Sequence, residues 1–184
     1  SELGLDMEQY LKTFTEVLRS DGFIERDSFY EISKRWIHSI LYTTRSDEVI
    51  SLFSDTTEMR NAHEALFNSE KMLRNIFDNV QVGVELYDKE GCLVDINTKN
   101  LDIFGIAAKE DVLGINFFEN PIVPEEIRRN VRNGQEQSFR LDYPFDRLGG
   151  YYPSRKKGSV QIYTKVTMLY DMYGELVNFL VLNI

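Results

Sequence analysis

The order helix, glycine, strand, strand, turn, strand occurs twice in this chain, over residues 6–55 and again over 124–183. A unit that returns in the same order constrains the fold more than any single motif, because both copies must solve the same burial problem. In the first copy Tyr10, Leu11, Phe14, Val17 and Leu18 are spaced for one face of a helix over residues 6–20, which stops at Asp21-Gly22. Residues 23–32, 35–43 and 48–53 are rich in β-branched and aromatic types and predict three antiparallel strands, the last two divided by the turn-like Arg45-Ser46-Asp47. Three strands alone leave a sheet edge open.

Between the copies, residues 56–80 hold no Pro and no Gly. Asp55 with Glu58 three residues on has the spacing of a capping box, so a helix is expected over 56–78. Its apolar positions Met59, Ala62, Leu66, Leu73, Ile76 and Val80, with Ser69 in the gap, alternate at spacings of 3 and 4. That is the seam of a left-handed coiled coil. Either a second copy of the helix covers it, making a homodimer, or the stripe packs on its own domain.

The second region alternates Val82, Val84 and Leu86 with Gly83, Glu85 and Tyr87, turns at Asp88-Lys89-Glu90-Gly91 and continues to Ile96, which predicts a hairpin. Asn97 is placed to cap a short helix carrying Leu101 and Phe104 and ending at Gly105. Two more short helices are expected, one over residues 107–113 closed by Gly114, the other from Pro124 to Asn133-Gly134. Strands follow over 138–143, 160–170 and 176–184; the last is apolar on both parities, so it is expected to be central and covered on both faces. The fold class is α+β. The expected divisions are 1–55, a linker helix over 56–79, and a complete domain over 80–184.

This order resembles the PAS sensor family, whose domain is a five-stranded antiparallel sheet with small helices on one face. The family's second strand often ends in an Asn that caps a helix with an aromatic-Gly pair, similar to Asn97 and Phe104-Gly105. Its last strand runs into an Asp-x-Thr junction before a signalling helix, similar to Asp55-Thr56-Thr57, and Arg35-Trp36-Ile37 is similar to its fourth strand. The resemblance implies the C-terminal half of one PAS unit, a linker helix, and one entire PAS unit, as in bacterial sensor histidine kinases. It implies a sensory and dimerisation module of a two-component signalling protein, with no enzymatic activity of its own. Asp55, Thr56, Thr57 and Glu58 would form the signal junction, and the output domain would lie elsewhere in the same polypeptide. A histidine kinase output is implied first; a DNA-binding output or an enzyme fragment are the other readings.

Chemistry beyond that is restricted by the residues. The net charge of −9 repels phosphate backbones and anionic lipid, so neither nucleic acid nor membrane contact is expected. No apolar run approaches the roughly 20 residues of a spanning helix, the start is acidic, and one cysteine, Cys92, suits a reducing, cytoplasmic setting. The chain has no initiator Met and stops at Ile184 inside an apolar run, so both ends are expected to continue. The only histidines, His38 and His63, both lie outside the expected complete domain, and no metal cluster is visible. His63-Glu64 is similar to a kinase phosphoacceptor pair, but Ala65-Leu66-Phe67-Asn68 departs from the pattern that follows it there. The family's flavin branch carries Gly-x-Asn-Cys-Arg, whereas here Gly114-Ile115-Asn116-Phe117-Phe118 puts Phe117 at the thiol position. Its haem branch uses a His that residues 124–133 lack, so no haem or flavin adduct is expected. Val84, Leu86, Ile96, Phe104, Phe117, Ile127, Val131, Val166 and Met168 line either a small apolar ligand pocket or an ordinary core. The loop over 144–158, with Tyr151, Tyr152, Arg155, Lys156 and Lys157, reads as a mobile solvated loop or a partner-binding flap.

Overall fold

The computed structural model describes residues 7–19, 22–44 and 48–184, in two compact units that divide between Lys71 and Met72. The expected turn Arg45-Ser46-Asp47 and the Ser20-Asp21 part of the first helix stop lie outside the described residues, as do the side chains of Tyr10 and Leu11.

In the first unit, helix α1 (Met7–Arg19) precedes strands β1 (Phe23–Tyr30), β2 (Arg35–Thr43) and β3 (Val49–Asp55), which pair antiparallel in chain order. Alternate residues Ile37, Ser39 and Leu41 of β2 are buried, the period of a strand with one covered face, and Thr13 and Val17 of α1 are buried too. Leu18, expected on the same helix face, is instead 52% exposed. Thr13 and Val17, one turn apart, set the buried stripe, and Leu18 lies about 100° further round the helix. On the other side of β2, His38 Nδ1 is 2.9 Å from Asp27 Oδ1 and its Nε2 3.4 Å from Glu25, a paired sheet histidine.

Helix α2 (Thr57–Asn79) runs unbroken through the division, and none of its 23 residues is buried. The second unit continues with β4 (Gly83–Asp88), β5 (Leu93–Ile96), α3 (Thr98–Phe104), α4 (Glu125–Arg132), β6 (Gln137–Pro144), β7 (Ser159–Tyr170) and β8 (Leu176–Asn183). Its antiparallel sheet has the order β5-β4-β8-β7-β6. Asn97 caps α3 as expected, and Gly105 ends it in the left-handed conformation at φ 66°, which a residue with a Cβ adopts only with strain. Phe104, Val112, Phe117 and Val131 from the helical connection pack with Ile162, Val166, Met168, Phe179 and Val181 of the sheet.

Three expectations are corrected. The helix over 107–113 is only a 3-10 turn, Lys109–Asp111. Backbone bonds of 2.9 Å from Gly114 N to Leu93 O and from Leu93 N to Ile115 O draw the following residues against β5 and out of helical register. β8 is central, yet its two faces differ: Phe179, Val181 and Asn183 of one parity are buried under the helical side, while Leu176, Asn178, Leu180 and Leu182 of the other are only half-buried. The segment 144–158 is docked, not solvated. Phe145, Leu148 and Tyr152 are buried, Ser154 Oγ donates to Phe104 O at 2.7 Å, and Arg155 N donates to Gly105 O at 2.9 Å.

Candidate functional site

Glu85 and Tyr87 stand on the core-facing side of β4, and between them, the helical connection and the docked segment lies a cavity of about 30 Å³. Aromatic rings form the largest part of its wall, Tyr87, Phe104, Phe117, Phe139, Tyr143, Tyr151 and Tyr152, beside aliphatic residues and the polar Asn120, Thr164 and Asn183. The rings support one another, with Phe104 edge-on to Tyr143 at 5.0 Å and Tyr151 to Tyr152 at 5.8 Å between centroids. The Tyr151 hydroxyl donates to Asn116 O at 2.7 Å. The buried Tyr152 hydroxyl interacts with the Tyr143 hydroxyl, though not in the geometry of a well-formed hydrogen bond.

A relay of side-chain hydrogen bonds leads to the carboxylate. Thr164 Oγ1 donates to Asn183 Oδ1 at 2.9 Å, Asn183 Nδ2 to Asn100 Oδ1 at 3.0 Å, and Asn100 Nδ2 to Glu85 Oε1 at 2.6 Å. Tyr87 donates its hydroxyl to Glu85 Oε2 at 3.0 Å. Thr164 and Asn183 are direct partners across β7 and β8, so the relay ties two strands and α3 to β4. Space is tight at its centre: a Cβ on Gly83 would lie 2.2 Å from Asn100 Oδ1. Loss of hydration raises the Glu85 carboxyl to about 7, against the downward pull of the Asn100 and Tyr87 hydrogen bonds. Burial also raises the Tyr143 hydroxyl to about 12 and carries Tyr87 well above the usual phenol range.

Of the nine pocket candidates, only Phe104 and Phe117 line this cavity. Ile96, Val131, Val166 and Met168 are core residues elsewhere in the unit, Ile127 packs against that core, Val84 is buried outside the cavity wall and Leu86 is half-buried. The apolar parity of β4 was the misleading signal. The sheet presents the other parity to the cavity, with Glu85 paired to Ile96 and Val181, and a register irregularity between Leu86 and Tyr87 re-aims the strand. Tyr151 and Tyr152 reach the cavity from a segment read as a loop. The Asn100–Asn183 bond, spanning 83 residues, has no local sequence signal.

At the expected junction, Asp55 Oδ1 accepts from Thr57 N at 3.0 Å and Oδ2 receives Arg35 Nη1 at 3.0 Å. The Thr57 hydroxyl accepts from Trp36 N at 2.8 Å, and Thr56 N donates to Trp36 O at 2.9 Å. These bonds seat the first turn of α2 on β2 and hold the Asp55 carboxyl below its ordinary range, Thr57 being the main cause. The expected capping box is not formed. The helix starts at Thr57, so Glu58 falls at its second position, one short of the place from which a reciprocal bond is made. The seam residues Met59, Leu66, Leu73 and Ile76 are all exposed, as is Ala62.

The cavity has no room for a porphyrin or a flavin ring system, since pockets that enclose such groups run to roughly 300 Å³ or more. Phe117, at the thiol position, is packed edge-on to Tyr87 and Phe179. Among the described residues no cluster of His, Cys, Asp or Glu is arranged to hold a metal ion, and no helix is long and apolar enough to cross a membrane.

Among curated proteins none matches the chain. A PAS domain of an HTR-like protein from Haloarcula marismortui is similar in structure, at 16% identity and TM-score 0.52, covering 68% of this chain and 98% of that one. Two further PAS domains, from a Colwellia psychrerythraea protein and from Bordetella pertussis BvgS, match at 17% and 20% identity with TM-scores of 0.47 and 0.43. They cover 62% and 64% of this chain, and 93% and 85% of their own. The family model described as the PAS fold matches residues 71–182, which take in the five-stranded sheet and its helical connection, and the chain belongs to the PAS family.

Proposed function

We propose that the chain is a sensory and dimerisation module of a cytoplasmic two-component protein, relaying a signal through α2 to a histidine kinase output domain in the same polypeptide. In this reading residues 1–55 are the C-terminal half of a first PAS unit, residues 56–79 the linker and residues 80–184 the complete sensor. A PAS domain is a generic sensory module, and the kinase, the homodimer and the compartment are our extension of it. The reading is carried by one observation: α2 exposes an apolar stripe along its length while hydrogen bonds tie its start to β2 and its end to Asp95 of β5 and the Asn97 cap. At one end the Asp55, Thr57 and Trp36 bonds fix the helix start. At the other, Asn97 Nδ2 donates to Phe77 O at 2.9 Å, and Arg74 bonds Asp95 of β5. A shift in either sheet therefore reaches the helix through short polar contacts, and a coupling of about 1–3 kcal/mol is enough to bias a two-state arrangement of paired helices.

Light scattering on the intact chain tests this. Wild type is expected to be dimeric at high micromolar concentration, and Leu66→Asp or Leu73→Asp to be monomeric, because these side chains are 59% and 64% exposed and a carboxylate in an apolar seam loses its hydration. A monomeric wild type, or dimers in all three, would overturn α2 as the seam.

A further inference from the structure

Glu85 is a carboxyl group without a cationic partner. Its two oxygens accept from an amide and a phenol, and among the described residues no Lys, Arg or His lines the cavity that it faces. The cavity wall holds a second unsatisfied group. Tyr152 is 7% exposed, and beyond the neighbouring Tyr143 hydroxyl its own hydroxyl has no partner among the described residues, although buried hydroxyls are almost always fully paired. Around these two acceptors stand the rings of Tyr87, Tyr143, Tyr151, Phe104 and Phe117. Aromatic faces attract a cation within about 6 Å of the ring centroid, more strongly where water is excluded.

The three features specify one ligand chemistry. A carboxylate and a hydroxyl oxygen together take a group with two or more N–H donors and a positive charge, and the aromatic wall takes its carbon. A volume of about 30 Å³ admits about two water-sized groups, so the ligand is an ammonium head with one or two carbons. Hard metal ions are a poor match, because they ask for several oxygen ligands and the cavity offers a single carboxylate. An anionic ligand would meet Glu85 with no basic side chain to offset it.

We propose that this cavity binds a small protonated primary amine of methylammonium size, its nitrogen donating to Glu85 and to the Tyr152 hydroxyl and its carbon packed among the tyrosine rings. Through the Asn100–Asn183–Thr164 relay, a charge placed on Glu85 is felt by β7, β8 and α3, the elements that frame the site. This deepens the sensory reading by naming the signal's chemistry. Binding is read on the chain itself, so it stands or falls independently of dimerisation through α2 or of any output domain.

The test is a titration of the isotopically labelled intact chain with methylammonium chloride, followed by amide and side-chain NMR, against potassium chloride at matched ionic strength. Saturable shifts at Glu85, Asn100 and Tyr152 are expected with methylammonium and not with potassium. Tetramethylammonium, which has no N–H and is too large, should not compete. Glu85→Gln keeps an acceptor for Asn100 but removes the charge and should weaken binding about tenfold or more; Tyr152→Phe deletes the hydroxyl, whose other contact is the Tyr143 hydroxyl, and should weaken it several-fold. Should Glu85→Gln disturb the fold, Tyr152→Phe is decisive by itself. Shifts that do not saturate, shifts matched by potassium, or saturable binding indifferent to the variants would each overturn the proposal.

Discussion

Asn97→Ala should cost the second unit about 4 kcal/mol, a large part of the 5–15 kcal/mol by which a domain is ordinarily stable. Asn97 is wholly buried and uses its amide four times. Its Oδ1 accepts from Val84 N and Asn100 N, each at 2.9 Å, and its Nδ2 donates to Phe77 O and Val82 O, each at 2.9 Å. Alanine leaves all four backbone groups without that partner, and each one kept from water carries a desolvation cost of about 1–3 kcal/mol. Asn97→Asp retains the two accepted bonds and loses the two donated ones, so it should fall between wild type and alanine. Denaturant unfolding of the intact chain separates the units, because Trp36, the only tryptophan, lies in the first. The transition of the second unit, followed by amide hydrogen exchange, should move to lower denaturant while the Trp36 fluorescence transition stays in place. A loss below about 1 kcal/mol would mean that water enters and replaces the amide.

The second large effect is a dependence of stability on pH that runs opposite to that of a salt-bridged carboxylate. The folded Glu85 carboxyl sits at about 7, against 4.5 for the free side chain. Below the lower value both folded and unfolded states hold the proton. Between the two, the folded state keeps a proton that the unfolded state has released, so stability falls as pH rises through the folded value and is flat above it. The separation corresponds to a loss of up to about 3 kcal/mol, tempered because Glu85 is half-buried and not fully removed from solvent. Unfolding free energies of wild type and Glu85→Gln, measured from about pH 5 to about pH 8, should therefore diverge, with the wild type losing stability relative to the variant. Parallel curves would remove Glu85 as the titrating group.

The sequence was informative wherever a feature is local. Helix α2 followed from a long stretch without Pro or Gly, the cap at Asn97 and the stop at Gly105 from residue type and spacing, and the outer strands from their alternation. The site was less legible for a physical reason. Alternation along β4 leaves two parities, Val84 with Leu86 or Glu85 with Tyr87, and hydrophobicity favours the first. Pairing of β4 with both β5 and β8 selects the second, and that pairing joins residues nearly a hundred positions apart. Burial of an acidic side chain is intelligible only once Asn100 and Tyr87 are seen to satisfy it. The docked segment was opaque for a similar reason: its anchor, Ser154 to Phe104 O, spans 50 residues.

Arg155, Lys156 and Lys157 lie exposed immediately after Ser154, which is held to α3 through its hydroxyl, while the Arg155 amide is bonded to Gly105. Trypsin cuts after basic residues but requires the backbone around them to leave its bonds and extend into the protease cleft. The same excursion lifts Tyr151 and Tyr152 off the aromatic wall. Tryptic nicking at this cluster therefore counts the excursions that part the aromatic wall, and the chain carries its own proteolytic clock for that opening.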